Sequence, residues 1–92
     1  MNKLIHIGFG NIVNTDKIIA IVSPDSAPVK RMVQSAKETG RVIDATQGRK
    51  TKAVLVMESS QVVLSALLPE TIAGRAQAEK TDVSDREDEK DE

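Results

Sequence analysis

The alternation of apolar and polar positions along the chain predicts short strands separated by turns. Residues 3–8 form a first predicted strand, which ends at a glycine-containing turn. Residues 17–22 form a continuous apolar run rich in β-branched side chains, which is typical of a strand covered on both faces. Further strands are predicted at 41–46, 51–58 and 61–67. We expect these last three to form an antiparallel meander with a hairpin turn at residues 47–50.

The chain between residues 27 and 39 has the pattern of an amphipathic helix. Asp25 or Ser26 can cap its start, and Gly40 is a natural end. A second, short helix begins at Pro69. Helical spacing gives the first helix one apolar stripe and one solvated stripe, formed by Val29, Met32, Val33 and Ala36 and by Lys30, Gln34 and Lys37. The order of elements predicts an α+β domain with a mostly antiparallel sheet of about five strands and two helices.

Composition limits the classes of protein to which the chain can belong. Its 92 residues suffice for one domain, and the absence of Cys excludes a disulfide scaffold and thiolate zinc sites. No stretch approaches the length of a membrane helix, and the N-terminal apolar run is too short for a signal peptide. We therefore expect a cytoplasmic protein that does not interact with membranes.

Charge divides the chain into two parts. Residues 76–92 carry eight acids and three bases, a net charge of −5, whereas residues 1–75 carry ten bases and six acids, a net charge of +4. The acidic segment has almost no large apolar residues, which predicts disorder. We expect a folded domain at 1–76 and a disordered acidic tail at 77–92. A basic domain favours a polyanionic partner.

Two predicted strands, 17–22 and 51–57, are apolar on both faces. One helix and a shorter second helix are too little to cover both sides of a five-stranded sheet. Apolar surface left in water costs roughly 25 cal/mol per Å². Self-association would cover it, so we expect a homo-oligomer.

Enzymatic chemistry finds little support in the sequence. A phosphate-binding loop needs a lysine directly after a glycine and a helix afterwards. Here Arg49 separates Gly48 from Lys50, and a strand is predicted to follow. His6 is the only histidine and has no Cys or acidic cluster near it in the sequence. We expect no catalytic residue, no cofactor, no metal site and no small-molecule substrate.

The basic turn is the best candidate for a binding site. Arg49, Lys50 and Lys52 lie within four positions, in a stretch without acids. Arginine offers a planar fork of donors that suits phosphate oxygens, and lysine offers a point charge. A turn that only increases solubility is the simpler interpretation of the residues alone. The near absence of aromatics argues against binding single strands by base stacking, whereas contact with a duplex backbone needs no aromatic residues.

Four segments of the sequence resemble the extracellular matrix regulatory protein A (RemA) family over roughly residues 3–75. They are residues 7–11 (Ile-Gly-Phe-Gly-Asn), 21–28 (Ile-Val-Ser-Pro-Asp-Ser-Ala-Pro), 44–51 (Asp-Ala-Thr-Gln-Gly-Arg-Lys-Thr) and 69–71 (Pro-Glu-Thr). The resemblance implies a DNA-binding transcriptional regulator of biofilm matrix genes. It also implies ring-shaped homo-oligomers that contact duplex DNA at many positions and bend or wrap it.

The same resemblance implies which residues contact DNA. The family has a pair of arginines after the turn glycine, and Arg49 and Lys50 occupy these positions here. A basic residue at the start of the second predicted strand also matters in the family, and Lys17 takes that place. Together with Lys52, these residues form the predicted DNA-binding set. Lysine at position 50 keeps the charge but loses the planar fork of arginine.

Two other function classes stay open at this point. The chain could be an oligomeric protein-interaction module that recruits another regulator without binding DNA itself. An enzyme acting on a phosphorylated ligand is the third possibility, which the missing catalytic constellation disfavours.

Overall fold

The computed structural model describes residues 3–77 of the chain. Within this range it contains six strands, two α-helices and one 3-10 turn, which confirms the predicted α+β class. The predicted acidic tail, 77–92, lies outside the described residues except for Gln77. In chain order the elements are β1 (Leu4–His6), β2 (Ile12–Asn14), the 3-10 turn (Thr15–Lys17), β3 (Ile18–Val22), α1 (Ala27–Glu38), β4 (Val42–Asp44), β5 (Ala53–Met57), β6 (Val62–Ser65) and α2 (Pro69–Gln77).

Four strands form a mixed sheet in the order β3-β5-β6-β4. Strands β3 and β6 each pair antiparallel with β5, whereas β4 runs parallel to β6 with Ile43 opposite Val63. The predicted antiparallel meander of residues 41–67 is therefore wrong, because β6 lies between β4 and β5. The physical reason is burial. All four residues of β6 are buried, as a central strand requires, whereas β4 exposes Ile43 and Asp44 and suits an edge.

Strands β1 and β2 form a separate antiparallel hairpin, in which Ile5 lies opposite Val13. The prediction of one five-stranded sheet is therefore also wrong, since the six described strands divide into a two-stranded and a four-stranded sheet. Strand β2 escapes prediction because its three residues stand between two segments rich in turn-forming Gly, Asn, Thr and Asp.

Helix α1 covers one face of the four-stranded sheet. Ser26 is its N-cap and accepts a hydrogen bond from the Val29 N–H at 3.3 Å, and Gly40, with φ of 71°, follows its C-terminal end. The predicted apolar stripe is confirmed, and the helix ends one residue earlier than expected. The stripe packs on the sheet through Val29, Met32, Val33 and Ala36, against Val54, Val62 and Leu64.

The β1–β2 hairpin and helix α2 cover the opposite face. Ile5, Ile7 and Ile72 are buried there with Leu55 and Val63 of the sheet. Strand β5 thus has a core on each side, which explains why its sequence lacks a polar face. The expectation that helices alone must cover the sheet overlooked this hairpin.

Two side-chain hydrogen bonds connect helix α2 with β1 and with the residue just before it. Lys3 Nζ donates to the Ala76 carbonyl at 2.9 Å, and Arg75 Nη1 donates to the His6 carbonyl at 2.9 Å. Neither α2 nor α1 has the length and apolar character that crossing a membrane would require, and these are the helices found in residues 3–77.

Five large aliphatic side chains in the described range remain exposed: Leu4, Ile12, Ile19, Ile43 and Leu68. Ile19 lies at a bulge in the edge strand β3, and Ile43 lies in the other edge strand, β4. Apolar surface available for self-association is concentrated in these side chains. Formation of a homo-oligomer stays a prediction.

Candidate nucleic-acid interface

The predicted basic turn lies in the loop that joins β4 to β5. Because β4 and β5 are not neighbours, Arg49 and Lys50 do not form a hairpin tip, and that part of the prediction is wrong. The loop instead carries the chain past β6, across two strand spacings, or about 10 Å. Arg49 N–H donates to the Thr46 carbonyl at 2.9 Å, and the intervening Gln47 and Gly48 have φ of 55° and 78°. Two positive φ values in succession are typical of a type I′ turn, which leaves Arg49 exposed.

Asp44 fixes the start of this loop. Its Oδ1 accepts from the Thr46 N–H at 2.9 Å and from the Thr46 hydroxyl at 2.6 Å. The Thr46 hydroxyl contributes most to lowering the pKa of Asp44, followed by the Thr46 N–H, and the Lys37 charge adds to them against a small opposing effect of burial. The carboxylate is therefore stabilised as an anion, and it aligns the residues that precede Arg49.

The turn between β1 and β2 lies against the same loop. Asn11 Nδ2 donates to the Gly8 carbonyl at 2.9 Å within its own turn and to the Ala45 carbonyl of the loop at 3.4 Å. The guanidinium carbon of Arg49 lies 5.4 Å from the centroid of the Phe9 ring. Two turns that are distant in sequence are thus held together beside Arg49.

Lys50 and Lys52 line a cavity of about 380 Å³ at the start of β5. Its other walls are the loop before α1, with Asp25, and the start of α2, with Glu70. Lys52 is fixed at its backbone, where its N–H donates to the Ser65 carbonyl at 2.8 Å. The Ser-Pro-Asp-Ser-Ala-Pro segment, residues 23–28, therefore both begins α1 and borders the basic loop.

Helix α1 adds two lysines that the sequence analysis assigned to a solvated face. Lys30 and Lys37 lie two turns apart on the helix and line a groove of about 220 Å³, whose wall includes Thr51. Thr51 also lines the cavity beside Lys50 and Lys52, so the two sets of lysines are contiguous. We call this cationic set, Lys30, Lys37, Arg49, Lys50 and Lys52, the basic surface. The Lys-Gln-Lys helical stripe was a signal for it, but its position beside the loop was not readable from the sequence.

Lys17 lies at the other end of the sheet. Its Nζ is 3.4 Å from Glu58 Oε1, and both side chains are well exposed. Its carbonyl accepts from the Glu58 N–H at 2.7 Å, just beyond the last residue of β5. Glu58 lies six residue steps along the extended chain from Lys52, a distance of roughly 20 Å. Within one protomer the fold therefore does not bring Lys17 together with Arg49, Lys50 and Lys52, and its role in DNA binding stays a prediction.

Comparison with known proteins shows similarity to one family over nearly all of the described residues. Residues 4–76 match the model of the RemA-like family, described as extracellular matrix regulatory protein A-like. A protein of Lachnoclostridium phytofermentans is 69% identical over 75 residues, which cover 82% of each chain. A protein of Acetivibrio thermocellus is 53% identical over 89 residues, covering 94% of this chain and 96% of that one.

A protein of Clostridium botulinum is 52% identical over 88 residues, which cover 94% of this chain and 97% of the relative. All three relatives are bacterial, and their names assign them a regulatory role. The family match spans every described element from β1 nearly to the end of α2. This chain therefore belongs to the RemA-like family of extracellular matrix regulatory protein A-like proteins.

Proposed function

We propose that this chain is a DNA-binding transcriptional regulator that works in the bacterial cytoplasm as a ring-like homo-oligomer. The observation that carries the proposal is the basic surface, whose five cations make no ion pair with any residue in the described range. Although the Lys37 charge acts on Asp44, and Asp25 and Glu70 border the cavity, the five cations remain exposed, and they favour binding by releasing condensed counterions from DNA phosphates. The regulatory names of the relatives and the family's reference to the extracellular matrix support control of matrix genes.

The expected strength of binding follows from the number of cations. Three basic residues predict a salt slope of about −2.7, whereas five predict about −4.5 for one protomer. The lone aromatic among 92 residues argues for duplex over single-stranded DNA, because single strands are held mainly by stacking on aromatic rings. The partner best matched to this surface is the phosphate backbone of double-stranded DNA.

The exposed aliphatic side chains support assembly into a ring. Ile12, Ile43 and Met57 line a groove of about 400 Å³, and Ile19 projects from a bulge on the other edge strand. Two different apolar features on one protomer suit a head-to-tail contact, in which Ile19 of one copy enters the groove of the next. Head-to-tail contacts close into a ring when the rotation between successive copies brings the last copy back to the first, and this closed form is the one we propose. A ring repeats the basic surface along one duplex.

Fluorescence polarisation with a labelled duplex at several salt concentrations tests the proposal. We expect Arg49→Ala to weaken binding and to make the salt slope shallower by about 0.9 for each protomer in contact. Arg31→Ala is the matched control, because Arg31 is exposed on α1 about 100° around the helix from Lys30. Wild-type protein that ignores duplex DNA at low salt, or equal effects of the two variants, would contradict the proposal.

The groove lined by Ile12, Ile43 and Met57 supports a second candidate function. An apolar groove with exposed Ile12 and Ile43 also suits a segment of another regulator, so that the chain could act as an oligomeric protein-interaction module. Crosslinking in cells separates the two functions. Crosslinks to protein without any to DNA would favour the interaction module, and crosslinks to DNA through the basic surface would favour the regulator.

A further inference from the structure

Phe9, the only aromatic residue of the chain, lies beneath the side chain of Arg49. The guanidinium carbon is 5.4 Å from the ring centroid, within the range of a cation–π contact. Phe9 is half-buried, whereas Arg49 is exposed. The contact joins residues that are forty positions apart, so it exists only because the fold brings two turns together.

The backbone of the turn that carries Phe9 is unusual. Phe9 has φ of 57°, between Gly8 at 107° and Gly10 at 80°. A bulky residue rarely adopts a positive φ, and it does so only when the surrounding structure holds it there. Here the Asn11 amide bridges the Phe9 turn to the Ala45 carbonyl. The turn therefore presents the ring at a fixed place beside the Arg49 loop.

We propose that Phe9 is a positioning residue for Arg49, an inference that rests on the proposed DNA binding. The guanidinium carbon lies over the face of the ring, and a cation–π contact of this kind uses the charge of the group, which leaves N–H donors for phosphate oxygens. The contact thus orders a long side chain before DNA arrives. Because the side chain is already ordered, the entropic cost of binding is smaller. Phe9 itself acts through Arg49 and needs no contact with a base.

A double-mutant cycle measured by duplex polarisation at low salt tests this role in the full chain. We expect Phe9→Leu to weaken binding about two- to fivefold for each protomer in contact, the range that a surface cation–π contact supports. Phe9→Tyr keeps the ring face and should retain wild-type affinity. In an Arg49→Ala background Phe9→Leu should have no further effect, whereas in a Lys52→Ala background it should cost as much as in wild type. Thermal unfolding of each variant checks that the fold is kept.

Two results would overturn the inference while leaving DNA binding intact. One is a wild-type affinity for Phe9→Leu, and the other is an equal loss with and without Arg49, which would mean that Phe9 acts on the turn or on DNA directly.

NMR of the unliganded protein gives a readout independent of DNA. The Arg49 side-chain protons should be shifted upfield by the ring in wild type and Phe9→Tyr but not in Phe9→Leu. Absence of that shift in wild type overturns the cation–π contact, and absence of any wild-type binding overturns the proposed function instead.

Discussion

Gly48 and Gly74 differ in backbone conformation, although an added Cβ would meet no atom within 4 Å at either position. Gly48 has φ of 78° in the basic loop, whereas Gly74 lies within helix α2. We expect Gly48→Ala to lower the free energy of unfolding by about 1–2 kcal/mol, because an L-residue is strained at positive φ. Gly74→Ala should raise it by roughly 0.5–1 kcal/mol, because alanine favours the helix.

Urea denaturation of the two alanine variants measures both effects against the same wild type. Gly48→Asn is a useful companion, because asparagine tolerates positive φ better than alanine and should cost less. If Gly48→Ala proved as stable as wild type, the loop would not hold the left-handed conformation that aligns Arg49.

Asp44 gives the loop a dependence on pH. Its pKa is below the ordinary value of 3.8, mainly because the Thr46 hydroxyl and N–H donate to it. A lowered pKa means that this contribution to stability is complete above that value and is lost as the pH falls through the lower pKa of the folded protein. We expect Asp44→Ala to cost about 1 kcal/mol at neutral pH, the usual worth of such a hydrogen bond.

The difference in unfolding free energy between wild type and Asp44→Ala should therefore stay constant from neutral pH to near 3.8 and shrink as the pH falls below that value through the lower pKa of the folded protein. Denaturation curves from neutral to acid pH measure this difference. In a Thr46→Val background, which lacks the hydroxyl donor, the same difference should depend less on pH. A gap that is as wide in acid as at neutral pH would argue against a stabilising Asp44 carboxylate.

Single residues differ in how far the sequence reveals their role. The exposure of Arg49, Lys50 and Lys52 follows from a run of polar residues in a turn, and the structure confirms it. Lys37 looks like an ordinary solvated residue until the fold brings it beside the loop. The contact between Phe9 and Arg49 is equally hidden, because it depends on how two distant turns pack. Local pattern determines exposure, whereas contacts between distant residues require the fold.

At the scale of whole elements, helix α1 serves both the core and the basic surface. Its apolar stripe packs on the sheet, and Lys30 and Lys37 border the loop on an adjacent face. We expect Lys30→Ala with Lys37→Ala to weaken duplex binding and to make the salt slope shallower by about 1.8 per protomer, since two phosphate contacts are lost. Polarisation titrations at several salt concentrations measure the slope.

The control for the helix is Arg31→Ala, which removes a charge from α1 outside the groove. A loss of affinity without a change of slope in the double lysine variant would mean that the helix is altered and that these lysines do not contact phosphates. Circular dichroism distinguishes a damaged helix from a helix that has only lost charge.

How well the sequence predicts an element depends on whether neighbouring residues or distant contacts determine it. Helix α1 is found within one residue because its spacing and its caps lie in adjacent sequence. The pairing of β4 with β6 is not found, because the alternation within a strand fixes its faces and leaves its neighbours undetermined. Once β6 takes the central position, the connection after β4 has to cross it. The predicted tight hairpin then becomes the longer loop that reaches both α1 and the β1–β2 turn.

At the scale of the whole molecule, two apolar features determine the expected assembly. Ile19 is 66% exposed on β3, and Ile43 is 46% exposed on β4 beside the groove. We expect Ile19→Lys and Ile43→Lys each to convert the ring into monomers of 10.0 kDa in light scattering. A charge at an exposed strand edge opposes association. Leu68→Lys is the control and should leave the mass unchanged, because Leu68 is exposed but does not line the groove.

Mixing the two monomeric variants tests whether the contact is head-to-tail. Ile19→Lys keeps an intact groove and Ile43→Lys keeps an intact Ile19, so one good contact can form between them. We expect the mixture to give dimers of about 20 kDa and nothing larger, because the second contact carries a lysine on each side. A mixture that stays monomeric would argue against a head-to-tail contact through these two surfaces.

These monomeric variants also separate the contribution of assembly from that of the basic surface. Each keeps all five cations of the basic surface, so a monomer should still bind duplex DNA with a salt slope of about −4.5 or shallower. Its affinity should fall by about a hundredfold or more, because contacts tethered in one ring act at high effective concentration. Adding Arg49→Ala to a monomeric variant should then remove most of the remaining binding. If monomers bound DNA as tightly as the assembled protein does, repetition around a ring would not be the source of affinity, and a single basic surface would have to account for all of it.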